Sequence, residues 1–146
     1  MSDIVNQTTG EVVSREEADF AIKKADELRD FRPTNPVEME FFIREANGVL
    51  EKMPSALLEI NERRYAAERA YSARKNTQMA FYGRQGMQIS FARAQAEVDA
   101  LPELEVWHGC KAEYHYAEDT AKALTTKVNS MLNINKHVNA QYGSYR

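Results

Sequence analysis

Between Arg63 and Arg93 the chain gathers side chains able to neutralise phosphate and to stack on an unpaired base. Arg63, Arg64, Arg69, Arg74, Lys75, Arg84 and Arg93 make seven of the protein's 19 Lys and Arg residues, against the single acid Glu68. The segment carries +6 within a 146-residue chain of net charge -3. Residues 1–62 hold 14 acids against seven bases, and residues 94–146 hold seven against five. Tyr65, Tyr71, Phe81, Tyr82 and Phe91 are interleaved with the bases. Cations that replace counterions, beside rings that offer a stacking face, are the chemistry of a single-stranded nucleic-acid site. A solvated helix face over core aromatics has the same composition.

Other chemistry finds less support. His108 and His115 are seven residues apart, two helical turns rather than one, and no Cys or carboxylate set completes a metal site. Gly83-Arg84-Gln85-Gly86 lacks the Lys-Ser/Thr ending of a phosphate-binding loop and the strand before it. The single cysteine, Cys110, has no partner for an intrachain disulfide, which fits a reducing compartment. Its neighbour His108 is too close in sequence to face it on a helix. Glu113, Glu118 and Asp119 read as a solvated helix flank, and Trp107, among Glu103 and Glu105, as a core anchor. The reading is of a protein that is not an enzyme, with no cofactor and no small-molecule substrate.

The elements that position the basic segment are helical. Ala, Glu, Arg, Lys, Met and Leu dominate the middle of the chain, with six Gly and four Pro in all. The expected class is all-α: a long helical hairpin or bundle with a short N-terminal helix, assembled as a homo-oligomer. Residues 1–13 read as an extended or mobile tail around the turn signal Thr8-Thr9-Gly10, whose flanking apolar groups allow a brief hairpin at most, and residues 14–146 as a single helical domain. Ser14-Arg15-Glu16-Glu17 is a capping box for a peripheral helix of about Arg15–Arg29, with Ala18, Ile22, Ala25 and Leu28 on one side. Asn35, with Pro36 behind it, caps a second helix. Its apolar stripe is Met39, Phe42, Ile43, Ala46, Val49, Leu50 and Met53.

Pro54 is expected to kink or end that helix. Helix then resumes through the basic segment as far as Tyr82, where Gly83 and Gly86 make a tight loop. Ser90 caps a short helix from Phe91 to Ala100, and Pro102 starts a last helix, about residues 103–140. Along it Tyr114, Ala117, Ala121, Leu124, Val128, Met131, Asn135 and Val138 form a heptad seam. Leu124, Val128, Met131, Asn135 and Val138 are the candidate oligomerisation residues. The same seam can equally pack on the long helix of its own chain. No apolar run approaches the ~20 residues of a membrane span, and the polar start MSDIVNQTTG is not a secretion signal, so a cytoplasmic protein without a membrane partner is expected.

Five stretches stand out along these elements: Phe42-x-x-x-Ala46-Asn47-x-Val49-Leu50, the run Ala66-Ala67-Glu68-Arg69-Ala70, Tyr114-x-Tyr116, Val128-x-Ser130 and Lys136-His137-Val138. In these residues, and in the order and lengths of its elements from about Asn35 to Tyr142, the chain resembles the UvsY-type recombination mediators of tailed phages. The resemblance implies a small helical protein of a phage, acting in the bacterial cytoplasm, that self-assembles into rings. It would bind single-stranded DNA without sequence preference and help a RecA-like recombinase displace single-strand-binding protein. The family's DNA contact includes a basic-x-basic pair; Arg69 matches its first member, and Tyr71 stands where the second would be. The candidate nucleic-acid residues are therefore Arg63, Arg64, Arg69, Tyr71, Arg74, Lys75 and Arg84. Two other classes fit the same charge map: a helical protein-interaction module such as a host nuclease inhibitor, and a virion or scaffold protein.

Overall fold

Asn35 begins the longest helix as its spacing requires. Its side-chain Oδ1 accepts from the Glu38 amide at 2.9 Å, and Glu38 in return accepts from the amide and hydroxyl of Thr34, each at 2.7 Å. A computed structural model describes Ile4–Val5, Val12–Val13 and residues 15–143. The described residues are nearly all helical: α1 is Arg15–Asp30, α2 Pro36–Arg84, α3 Ile89–Asp99 and α4 Leu101–Gly143. Ile4–Val5 (β1) and Val12–Val13 (β2) pair antiparallel, with Ile4 opposite Val13 and Val5 opposite Val12. The Ser14 cap and the Thr8-Thr9-Gly10 turn lie outside the described residues. The class is all-α, and none of the described helices is long and apolar enough to cross a membrane.

Three expectations on element boundaries are corrected. α2 runs unbroken through Pro54 for 49 residues. Proline removes one backbone donor, but the residues around it, Met53, Ser55 and Ala56, are buried, and tertiary packing holds the helix across the gap. α3 starts at Ile89, ahead of Ser90, with Gln88 as its N-cap and no side-chain cap bond. α1 is not peripheral, as the first of two compact units makes plain.

That unit comprises residues 1–59 and 116–146. Its core joins Ala18, Ala21, Ala25 and Leu28 of α1, Phe42, Ala46, Val49, Met53 and Ala56 of α2, and Leu124 and Val128 of α4. Alanine at every third or fourth position of α1 lets its backbone approach closely, so a helix of weak apolar character is fully seated. Polar contacts fix it. Lys24 pairs with Glu45 at 2.5 Å, and Arg29 reaches Thr120 at 3.2 Å and Tyr116 at 3.3 Å. Lys127 donates to the carbonyls of Leu28 and Arg29 at 3.0 and 2.8 Å and to that of Phe31, closing the C-terminal end of α1 while lying over the Phe42 ring.

The second unit is residues 60–115. Here α2 and α4 run antiparallel: Arg63 meets Glu113, Tyr71 meets Trp107 and Arg74 meets Glu103. Ile60, Ala67, Ala92, Ala96 and Ala100 are its buried apolar residues. The chain leaves α2 through a turn in which the Gln85 and Met87 amides both donate to the Tyr82 carbonyl, at 3.2 and 3.1 Å. Gly86 sits at φ +82°, a conformation that a side chain disfavours.

Candidate nucleic-acid interface

The second unit brings the whole basic segment together, and with it acids that pair with three of its seven bases. Arg63 Nη1 lies 3.1 Å from Glu113 Oε1, and its side chain is only 12% exposed. Lys75 lies 3.4 Å from Glu97, and Arg74 Nε lies 3.9 Å from Glu103 Oε1. Arg64 is held over the rings of Tyr65 and Tyr114, at 5.8 and 5.5 Å, as a cation on two aromatic faces. Tyr71 stacks on Trp107, centroids 5.7 Å apart and planes 25° apart, and is half-buried. Trp107 is thus an anchor between α2 and α4. Residues 60–115 hold eight bases and seven acids, so the fold leaves this unit close to neutral.

Three bases of the segment remain exposed and without an ion pair among the described residues: Arg69, Arg84 and Arg93. Arg84 and Arg93 flank the α2–α3 turn, and no acid occurs between Asn76 and Ala96. Around them Phe81, Ile89 and Phe91 are 48%, 73% and 66% exposed. Of the sequence-based candidates, then, Arg69 and Arg84 are free, Arg63, Arg74 and Lys75 are paired, and Arg64 and Tyr71 are stacked. The candidate set omits Arg93, Phe81 and Phe91. The gap in acids from 76 to 96 is the signal that finds them.

The turn is braced from beneath. The Tyr82 hydroxyl donates to Asp99 Oδ2, joined there by Gln78 at 2.8 Å, while Gln95 reaches Asp99 Oδ1 at 3.0 Å. These bonds, that from Tyr82 first, hold the Asp99 carboxyl below its ordinary range, and the same contact pushes the Tyr82 phenol up.

Among the seam residues of α4, Leu124 and Val128 are filled within the chain, in the core of the first unit. Met131 packs against that core, and Asn135 and Val138 are half-buried, while Leu132 and Ile134 between them are exposed. His108, His115 and His137 are exposed, Cys110 is a half-buried free thiol, and no metal-holding cluster occurs among the described residues. No protein-family model matches the chain, and no curated protein or solved structure matches it.

Proposed function

We propose that the protein binds single-stranded DNA at the α2–α3 turn, as a self-associating recombination mediator of a phage. Its partners on this reading are a RecA-like recombinase and the single-strand-binding protein that the recombinase replaces. One observation carries it: Arg84 and Arg93 stand unpaired beside the exposed rings of Phe81 and Phe91, in a stretch with no acid from Asn76 to Ala96. Unpaired arginines keep their charge for phosphate, and exposed rings stack on any base, so binding would be indifferent to sequence. Arg69, two thirds of the way along α2, adds a third free cation. The order of elements from Asn35 to Tyr142 supports the mediator role.

The exposed Met87 and Ile89 at the same turn, with Val98 exposed toward the far end of α3, favour a second reading, a helical protein-interaction module. A salt titration with fluorescent single- and double-stranded oligonucleotides separates the two. Single strands should bind better than duplex, and affinity should fall as salt rises. No binding at low salt, or affinity that salt does not change, leaves the interaction module.

A further inference from the structure

A second feature of residues 60–115 is a groove of ≈ 330 Å³ between α2 and α4, lined by Ala67, Ala70, Pro102, Glu103 and Val106. Its walls are apolar apart from one carboxylate, and that carboxylate is incompletely partnered. Glu103 Oε1 has Arg74 at 3.9 Å, whereas Oε2 is buried without a hydrogen-bond partner. One turn further along α4, Trp107 Nε1 is likewise buried and unpaired. A buried carboxylate oxygen without a donor is costly, and a cation is the donor that relieves it best. The groove therefore suits an apolar side chain that arrives with a guanidinium beside it.

The same chain offers that chemistry. The α2–α3 turn projects Met87, Ile89 and Phe91, all exposed, next to the unpaired Arg84 and Arg93. It cannot fill its own groove: Ala70 and Arg84 lie on one helix, 14 residues and hence about 20 Å apart at 1.5 Å per residue. We infer that the α2–α3 turn of one copy docks in the α2/α4 groove of a second copy, with Arg84 or Arg93 meeting Glu103. The contact is head-to-tail, so each copy gives a turn and receives one, and assembly proceeds to a ring or a filament. A turn seated this way is unavailable to a DNA strand, so strand and groove compete for it. The docking itself does not depend on the strand-binding reading.

The test is sedimentation velocity of the full chain in the absence of nucleic acid. The wild-type chain should associate as its concentration rises. E103R, which sets a cation in the groove, should weaken association at least ten-fold, and so should R84E combined with R93E, with helicity by circular dichroism unchanged in both. Mixing the two variants should restore assembly, because each turn then meets a groove of opposite charge. A70W, which fills the groove at an exposed position, gives the same loss by shape and covers the case in which E103R misfolds. A monomeric wild-type chain, association untouched by E103R and A70W, or variants that fail to recover on mixing would each overturn the inference.

Discussion

Arg63 and Glu113, 50 positions apart in sequence, are joined at 3.1 Å, with the guanidinium nearly covered and the carboxylate half-exposed. The bond ties α2 to α4, and it withdraws from the surface a cation that composition alone would assign to DNA. Its loss should be felt in stability. R63A is expected to lower the unfolding free energy, read from urea denaturation, by on the order of 1 kcal/mol, the scale of a partly exposed pair, and to leave strand affinity nearly unchanged.

Replacing Arg84 and Arg93 should do the reverse. Both are exposed and unpaired, so R84A/R93A should shift stability by no more than about 0.5 kcal/mol while lowering affinity for every strand sequence alike. With Arg69, Arg84 and Arg93 as the free cations, about three phosphates are neutralised per copy, for a log–log salt slope near -2 at ~0.7 per phosphate. Anisotropy titrations of the two variants against the wild type measure both effects. If R63A weakens binding as much as R84A/R93A, the interface lies along α2 and not at the turn.

The contact between Tyr82 and Asp99 makes the turn sensitive to pH at both extremes. Asp99 is held below its ordinary 3.8, so its contribution is present above that value and is lost as pH falls through the lower folded value. Tyr82 is pushed above its ordinary 10.0, so its contribution is present below that value and is lost as pH rises through the higher folded one. Between roughly pH 4 and 10 the brace should be intact and its contribution flat. Amide exchange at Gly83–Gln88 should be slow across this window and should quicken outside it. Y82F, which removes the donor, should raise the Asp99 carboxyl toward 3.8 in a carboxyl-carbon titration. An unmoved Asp99 would show that the other donors suffice.

The helices are legible in the sequence because their apolar side chains recur at threes and fours. Phe42, Ala46, Val49 and Met53 of α2 and Ala117, Leu124 and Val128 of α4 are buried in the register their spacing implies. Other features are not written in local pattern. Ala21 and Ala25 make α1 look weak, since alanine adds little apolar area, yet small side chains are what allow its close seating. Pro54 reads as a break because the backbone rule is local, whereas the packing of Met53, Ser55 and Ala56 is not. The pairing of the basic segment is invisible for the same reason. Glu97, Glu103 and Glu113 lie 22–50 residues from the bases they meet and arrive only when α3 and α4 turn back along α2. The unpaired remainder at Arg84 and Arg93 could be read only from the absence of acids around them.

Lys127 supplies the charge that ends α1, through the carbonyls of Leu28, Arg29 and Phe31. K127M keeps the stem over the Phe42 ring and removes the donor. With hydrogen bonds to a charged group worth about 1.5–3 kcal/mol, the variant should lose stability in that range, and amide protection in α1 should fall before that in α2. Protection lost equally in both helices would mean that α1 has no separate opening and that Lys127 acts on the whole unit.

Two positions six residues apart on α4 separate folding from assembly. Val128 is 4% exposed within the core of α1, α2 and α4, so V128D places a carboxylate among apolar side chains. Burial of that charge without a partner is prohibitive, and the first unit should unfold, with loss of helicity. Ile134 is 47% exposed and has no such core to disrupt. I134D should therefore keep helicity and the urea midpoint. If the end of α4 joins copies, with Met131, Asn135 and Val138 beside Ile134, the I134D protein should scatter as smaller particles. Its affinity for long single strands should then fall, because linked copies bind a strand at high effective concentration and separated ones do not. Affinity for an oligonucleotide short enough to occupy one copy should stay as it was. Smaller particles with unchanged affinity on long strands would break the link between assembly and binding. Unchanged particles would remove the end of α4 from the assembly and leave the α2–α3 turn and its groove as the contact to pursue.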